Sequence, residues 1–443
     1  MANSDLLQRS LAAVWHPCTQ MKQHAAAFEA LPLIPIARGE GVWLYDFDGR
    51  RYLDGISSWW VNLFGHCHPR INAALREQLD ELEHVILAGF THRPVIELSE
   101  RLAGLTGGAL GHCFYASDGA SATEIALKMS FHSWHNRGRR GKDTFLCLAG
   151  SYHGETVGAL AVTDVPLFKD AYAPLIRPAQ TVPTPDARLA MDGETPVEVA
   201  RRAAAALASH LEAHHERIAA LIVEPLIQCA SGMAMYDPEY LRLARELCDR
   251  YEVHLICDEI AVGCGRTGTF FAHEQAGITP DFLCLSKGIS GGYLPLSIVM
   301  TTDAVYDCFY DDSTSRGFLH SHSYTGNALA CRAALATLDI FADDQVLAAN
   351  RVLAEHLATC LSPLAAHPRV RHLRQRGMIA AFDVQTDDPQ FSQRFYRQAL
   401  AHEVLLRPIG NTIYFMPPYV IGDEECAFLA TRAMAALDAA LPT

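Results

Sequence analysis

No apolar run in the sequence approaches the length needed to cross a bilayer. The opening stretch MANSDLLQRSLAAVWHP lacks the basic start and apolar middle of a secretory signal. Together these absences predict a cytoplasmic protein with no membrane partner. Cysteine is present but its usual patterns are missing. The 13 cysteines lie singly, with no CxxC pair, and an odd count without a framework points to reduced thiols. Positive charge is in deficit, with Lys+Arg 36 against Asp+Glu 50 and a formal net charge of -14. That balance argues against a nucleic-acid surface. The acidic residues are spread along the chain, so solubility accounts for them. There is no internal repeat, and no low-complexity tract beyond one Ala-rich stretch.

What is present is apolar bulk. Half of the 443 residues are hydrophobic, enough for a large core and, at this length, for more than one domain. VWLYDFDGRRYLDG predicts two short strands around an Asp48-Gly49 turn. From about residue 95 helices and strands alternate. ERIAALIVEP reads as a buried strand ending at Glu224-Pro225. DPEYLRLARELCDRY reads as a helix with Asp237 as N-cap and Pro238 in its first turn. Its Leu241, Ala244, Leu247 and Cys248 recur at helical spacing. VHLICDE and DFLCLSKG are further strands. Strands separated by helices imply a mostly parallel sheet covered on both faces. TVPTPDARLAMDGETP predicts a loop, and the Ala-rich part after it a surface helix. Beyond SHSYTGNALAC the pattern is helical from Ala328 to about Phe341 and again to about Leu361. It then returns to short strands at MIAAFDV and NTIYFMPPY. The expected organisation is an N-terminal segment of a small α+β domain at 1–65, a large α/β domain at 66–330, and the C-terminal part of the small domain at 331–443.

In open parallel sheets ligands bind beyond the carboxyl ends of the strands. After HCFYA comes SDGASATEIALK, a glycine turn opening a helix whose Ser121 and Glu124 have capping-box spacing. An ordinary capped helix explains it, and so does a phosphate site. After VHLIC comes Asp258, a solvated loop acid or a partner for a protonated ring nitrogen. After TFLCLAG comes SYHGET, where aromatic rings suit a flat ligand and His153 suits a structural histidine. After DFLCLS comes Lys287, a costly residue to aim off a core strand unless it serves as an amine. Each signal is weak alone. A phosphate nest, an acid for a pyridinium, an amine for an aldehyde and rings for a plane together complement pyridoxal phosphate.

With these residues in place, the chain resembles the class III aminotransferases, a family of fold type I pyridoxal-phosphate enzymes. The resemblance covers nearly the whole chain. CDEIAVGCGRTGTFFAHEQAGITPDFLCLSKGISGG is similar to the family's most specific stretch. WHPCTQM, DGISSWWVNLFGHCHP, GSYHGET, HSYTGNALAC and RPIGNTIYFMPPY are similar to one branch of it. That branch aminates 8-amino-7-oxononanoate to 7,8-diaminononanoate in biotin biosynthesis, with S-adenosylmethionine as donor. The resemblance implies a fold type I architecture, pyridoxal phosphate as cofactor, these two small-molecule substrates, and a homodimer with active sites at its interface. Position by position, it makes Lys287 the amine that carries the cofactor and moves the substrate Cα proton. Asp258 becomes the partner of the pyridinium nitrogen. Gly119 and Ala120 offer N–H groups to the phosphate, Tyr152 lies against cofactor and substrate, and Glu224 is an acid near the ring. Trp59, Trp60 and Tyr414 belong to the substrate pocket, and Arg407 grips a substrate carboxylate. His322 and Ser323 match a segment that reaches the phosphate of the other subunit, and Ser321 lies where substrate contact is expected. Cys18 stands where relatives carry a substrate-facing tyrosine. SDGAS stands where DSGS is common, which leaves backbone phosphate binding intact.

Other readings compete. Lysine is a rival donor, and a general ω-amino acid–pyruvate aminotransferase is a rival activity. GCGRTG formally matches the dinucleotide fingerprint of an NAD-dependent dehydrogenase. That fingerprint needs its first glycine directly after a strand, and Asp258 to Val262 intervene. HCH at 66–68 and HSH at 320–322 invite a zinc reading, but family motifs beside both explain them without metal. A non-enzymatic relative is disfavoured by the retained Lys287 and Asp258.

Overall fold

The structure, a computed structural model, describes residues 3–25 and 31–441. The chain forms two compact units: Met1–Pro69 with Asn350–Thr443, and Arg70–Ala349. In the first, strands β1 (Ile36–Glu40), β2 (Trp43–Asp46) and β3 (Arg51–Asp54) run as an antiparallel meander. The Asp48-Gly49 turn joins β2 to β3 as expected, with Asp46 Oδ1 accepting from Asp48 N and Arg50 N at 3.0 and 2.9 Å.

The second unit carries β4 (His112–Ala116), β5 (Thr144–Leu148), β6 (Gln180–Val182), β7 (Ile218–Val223), the short pair β8 (Ile227–Gln228) and β9 (Ala234–Met235), then β10 (His254–Asp258), β11 (Phe282–Leu285) and β12 (Ser297–Thr301). Seven of these form one sheet in the order β4-β12-β11-β10-β7-β5-β6. All its neighbours are parallel except β12, which runs against both β11 and β4. β4 therefore points the same way as the parallel strands. Every residue of β7, β10 and β11 is buried, which is why these strands read as unbroken apolar runs. Ile125 and Ala126 of the helix Gly119–Asn136 pack with Ile222, Ile256, Cys284 and Val299 of the sheet. The helix Glu239–Arg250 buries Leu241, Ala244, Leu247 and Cys248, and Asp237 Oδ1 accepts from Glu239 N at 2.9 Å.

The chain then returns to the first unit. There β13 (Val370–Arg376), β14 (Ile379–Val384) and β16 (Thr412–Phe415) form an antiparallel sheet, while β15 (Val404–Leu405) pairs in parallel with β3. The cut near residue 330 expected from sequence lies about one helix too early. The helix Ala328–Asp343 packs against the helix Arg93–Leu105 and the turn Lys287–Ser290, so it belongs to the larger unit. The GCGRTG glycines lie in a run of turns between β10 and a short 3-10 segment, Ala272–Ala276, and open no helix. Among the described residues no helix is long and apolar enough to cross a membrane, and no three His, Cys, Asp or Glu side chains gather as a metal would require.

Candidate active site

Because β4, β5, β7, β10 and β11 share one direction, the residues that follow them meet at one edge of the sheet. After β4, Asp118 rather than Ser121 caps the helix Gly119–Asn136. Its Oδ1 accepts from Ser121 N at 2.9 Å and its Oδ2 from Ser121 Oγ at 2.7 Å. The expected Ser121–Glu124 box does not form, because the helix begins three residues earlier and Glu124 instead accepts from Gly158 N at 3.0 Å. Gly119 and Ala120 thus occupy the first turn, where amides have no intrahelical acceptor. The loop after β5 lies close against this turn. Gly154 has φ +123, and a Cβ there would come 2.5 Å from the Ala120 Cβ, so only glycine lets the two backbones approach.

Asp258 ends β10 almost fully buried, and its Oδ2 lies 2.7 Å from His153 Nδ1. Its Oδ1 accepts from Ile260 N at 3.1 Å. His153 Nε2 is buried with no hydrogen-bond partner among the described residues. Glu224, after β7, accepts from Tyr152 N at 3.0 Å and Cys229 N at 2.9 Å. Burial pushes its carboxyl up to about 7, with His153 pulling down and Asp258 pushing up further. The Tyr152 ring packs edge-on to Phe168, and its hydroxyl donates to Glu155 at 2.8 Å.

The raised Glu224 carboxyl has a consequence for stability. Between pH 4.5 and about 7 the folded state holds a proton that the unfolded state has released. Stability must therefore fall as pH rises through that window. In cofactor-free protein, the unfolding free energy of Glu224→Gln relative to wild type should move in the variant's favour by ~3 kcal/mol across it. Urea denaturation at pH 5 and pH 8 measures this, and a pH-independent difference would show that Glu224 ionises normally.

Lys287 follows β11 in left-handed backbone, φ +47. Burial lowers its amine below the ordinary lysine range, against the opposing pull of Cys229, Asp258 and Glu224. The next turn closes at Gly291, φ +65, where a Cβ would lie 2.9 Å from both Ile71 Cδ1 and Thr337 Oγ1. The 320s segment is held by Thr325. Its hydroxyl accepts from His322 N at 3.1 Å and donates to His322 O at 2.9 Å. Ser321 and Ser323 are exposed and His322 is half-buried.

In the other unit, Ser57, Ser58, Trp59 and Trp60 are all left-handed, with φ +52, +46, +72 and +74. A left-handed non-glycine residue costs ~1–2 kcal/mol, and the turn is tied at each end. Ser57 Oγ donates to Met416 O at 2.7 Å, and Trp60 Nε1 donates to Tyr414 OH at 3.0 Å. Trp60 and Tyr414 are buried, whereas Trp59 is 43% exposed. The Arg407 guanidinium carbon lies 5.0 Å from the Trp59 ring centroid, and Arg407 also donates to Cys18 O at 2.8 Å. This unit therefore gathers Cys18, Trp59, Trp60, Arg407 and Tyr414, which are scattered in sequence. Sequence reasoning did not find Asp54, which accepts from Ser58 N at 2.9 Å, because the strand pattern of RYLD already explains an acid at a strand end. It also left the His153–Asp258 contact undetected, since the two residues are 105 positions apart.

The larger unit's edge offers amides at a helix start, a buried carboxylate held by a histidine, and a desolvated amine. This donor set fits pyridoxal phosphate: Gly119 and Ala120 for the phosphate, Asp258 for the ring nitrogen and Lys287 for the aldehyde carbon. Relatives agree. The family model of class-III aminotransferases matches residues 25–437. An adenosylmethionine-8-amino-7-oxononanoate aminotransferase of Helicobacter pylori is 48% identical over 94% of this chain and 95% of its own. One of the same name from Geobacter sulfurreducens is 39% identical over 94% and 93%. The crystal structure of its Methanocaldococcus jannaschii namesake superposes with a TM-score of 0.91 at 33% identity, covering 99% of both chains. An omega transaminase of Pseudomonas jessenii in complex with PMP gives a TM-score of 0.93 at 26% identity, covering 98% of both. The architecture is that of the fold type I enzymes, and the chain belongs to the class III aminotransferases, which depend on pyridoxal phosphate.

Proposed function

We propose that the protein transfers an amino group from S-adenosylmethionine to 8-amino-7-oxononanoate, giving 7,8-diaminononanoate for biotin biosynthesis in the cytoplasm. The reading is carried by near-full-length similarity to proteins bearing that name. Bound at Lys287, pyridoxal phosphate supplies an aldehyde to take the amino group and a ring to take up the electron pair of the broken C–H bond. The protein's residues do the rest. Lys287 Nζ takes the proton from the substrate Cα and later returns one. Burial favours its neutral form, which makes it a competent base. Asp258 keeps a proton on the ring nitrogen by its charge, and His153, 2.7 Å away, fixes the orientation of that carboxylate. Gly119 and Ala120 give amides to the phosphate. Tyr152 covers the ring and meets substrate, and Glu224 holds the Tyr152 backbone. Ser321 contacts substrate.

Arg407 takes the carboxylate at the far end of the oxononanoate chain. Trp59 and Trp60 flank the apolar part, Tyr414 fixes the Trp60 indole, and Cys18 borders the Arg407 side chain. A charge-assisted pair contributes about 1.5–3 kcal/mol, so Arg407→Ala should raise the oxononanoate KM roughly 10- to 100-fold. The donor half-reaction should change little. Steady-state kinetics in each substrate checks this, and equal damage to both halves would remove Arg407 from acceptor recognition.

A homodimer belongs to the same proposal. Support comes from two segments joined by His84 Nε2 to Ser323 O at 2.7 Å and Asn327 Nδ2 to Glu83 O at 3.0 Å. They leave Ile86, Phe90, Leu319 and Tyr324 exposed, an apolar surface suited to a second copy. His322 and Ser323 lie in one of these segments and would serve the other subunit's phosphate. The donor is tested by stopped-flow absorbance of the bound cofactor with S-adenosylmethionine, lysine and alanine in turn. S-adenosylmethionine alone should discharge the band. A response to lysine only would keep the reaction and change the donor. A response to alanine only would favour a general ω-transaminase, the activity named for several structural neighbours.

A further inference from the structure

We propose that Asp54 is a positioning residue for acceptor recognition: its carboxylate holds Ser57–Trp60 in the left-handed form that sets the Trp59 indole beside Arg407. The proposal rests on the reading of Arg407 and Trp59 as the acceptor-carboxylate site. The four residues of the turn have positive φ and none is glycine. Such a run persists only where its surroundings over-determine it. The end residues have their ties to Met416 and Tyr414. The middle is held by Asp54, which is 0% exposed. Its Oδ1 accepts from Ser58 N at 2.9 Å and its Oδ2 from Ser58 Oγ at 2.6 Å. The same Oδ2 lies 3.0 Å from His66 Nε2, and His66 Nδ1 lies 3.1 Å from Asn62 Nδ2, so the carboxylate is itself fixed in place. What this arrangement delivers is not burial. Trp59 stays 43% exposed, its ring 5.0 Å from the Arg407 guanidinium carbon. A backbone relaxed to ordinary φ would swing that indole away, because the side-chain direction follows the left-handed turn.

The experiment is kinetics on the holoenzyme with Asp54→Asn, Ser58→Ala and the double variant Asp54→Asn/Ser58→Gly. Asn keeps one acceptor oxygen but sets an amide donor against Ser58 and His66. Asp54→Asn should raise the oxononanoate KM about tenfold, and Ser58→Ala by less, with kcat and donor KM within about twofold of wild type and cofactor content unchanged. Adding Ser58→Gly should bring the acceptor KM back toward wild type, because glycine holds positive φ without a steric cost. An unchanged acceptor KM, equal losses on both substrates, or lost cofactor would overturn the proposal. Near-ultraviolet circular dichroism adds an arm that needs no substrate: Asp54→Asn should lose as much of the tryptophan band as Trp59→Phe does. If wild-type enzyme does not aminate oxononanoate, the substrate reading fails, and this band decides the role of Asp54 alone. A wild-type band in Asp54→Asn then overturns it.

Discussion

Lys287→Ala protein is expected to fold, to take up pyridoxal phosphate reversibly, and to lose turnover by at least roughly 10²–10⁴-fold, the usual worth of a positioned proton-transfer group. Folding should survive because the backbone strain at this site is not specific to lysine. Lys287 has φ +47, and alanine meets the same penalty there, so the substitution adds none. Removing the amine also removes the desolvation cost that burial places on it. What disappears is the covalent tether and the base. Gel filtration should strip the cofactor from the variant and leave it on wild type, and added methylamine should restore part of the rate. Wild-type turnover by Lys287→Ala would remove this residue from catalysis.

Asp258→Asn should slow the proton-abstraction step by roughly 10²–10³-fold, the scale of losing one charged partner at a reacting centre. Both contacts of the native carboxylate can be kept in outline. The amide oxygen can still accept from Ile260 N, now 3.1 Å from Oδ1, and the amide nitrogen can donate to His153 Nδ1, now 2.7 Å from Oδ2. That second bond requires the proton of His153 to sit on Nε2, which has no hydrogen-bond partner among the described residues. Neutral asparagine does not hold a proton on a ring nitrogen by charge, so rate falls while the fold stays. Single-turnover absorbance with a Cα-deuterated donor separates this step from binding. A near-native rate without an isotope effect would assign the acid role elsewhere.

The strand ends were legible because parallel strands are buried on both faces and leave little doubt where they stop. Asp258, Glu224 and Lys287 stand directly after such runs. The turn at Ser57–Trp60 was not legible. Positive φ is ordinarily announced by glycine or asparagine, and SSWW contains neither. Its conformation comes from Asp54, Met416 and Tyr414, groups that a local pattern does not reach. The helix start at Gly119 was misread for a related reason. Ser121 and Glu124 have the right spacing, but Asp118 is a better-placed acceptor and Glu124 is drawn to Gly158 N. The helix Ala328–Asp343 looked like the beginning of a new domain because a second helical stretch and then short strands follow it, while its packing partners lie some 230 residues upstream in the helix Arg93–Leu105 and beside Lys287.

The smaller unit is built from both flanks of the chain, and this bears on how it is made. The last strand of its meander, β3, finds its parallel neighbour only in β15, where Leu53 meets Val404 and Asp54 meets Leu405. Roughly 350 residues separate them, so at ribosomal speeds of about 5–20 residues per second an open sheet edge waits on the order of half a minute. Until then Tyr52 and Leu53 of β3, both buried in the finished fold, lack the neighbours that β15 brings. The central stretch Arg70–Ala349 is continuous and can close on itself first. Nascent chains should therefore meet chaperones chiefly through their earliest segment, and expression at lower temperature or slower initiation should raise the soluble yield.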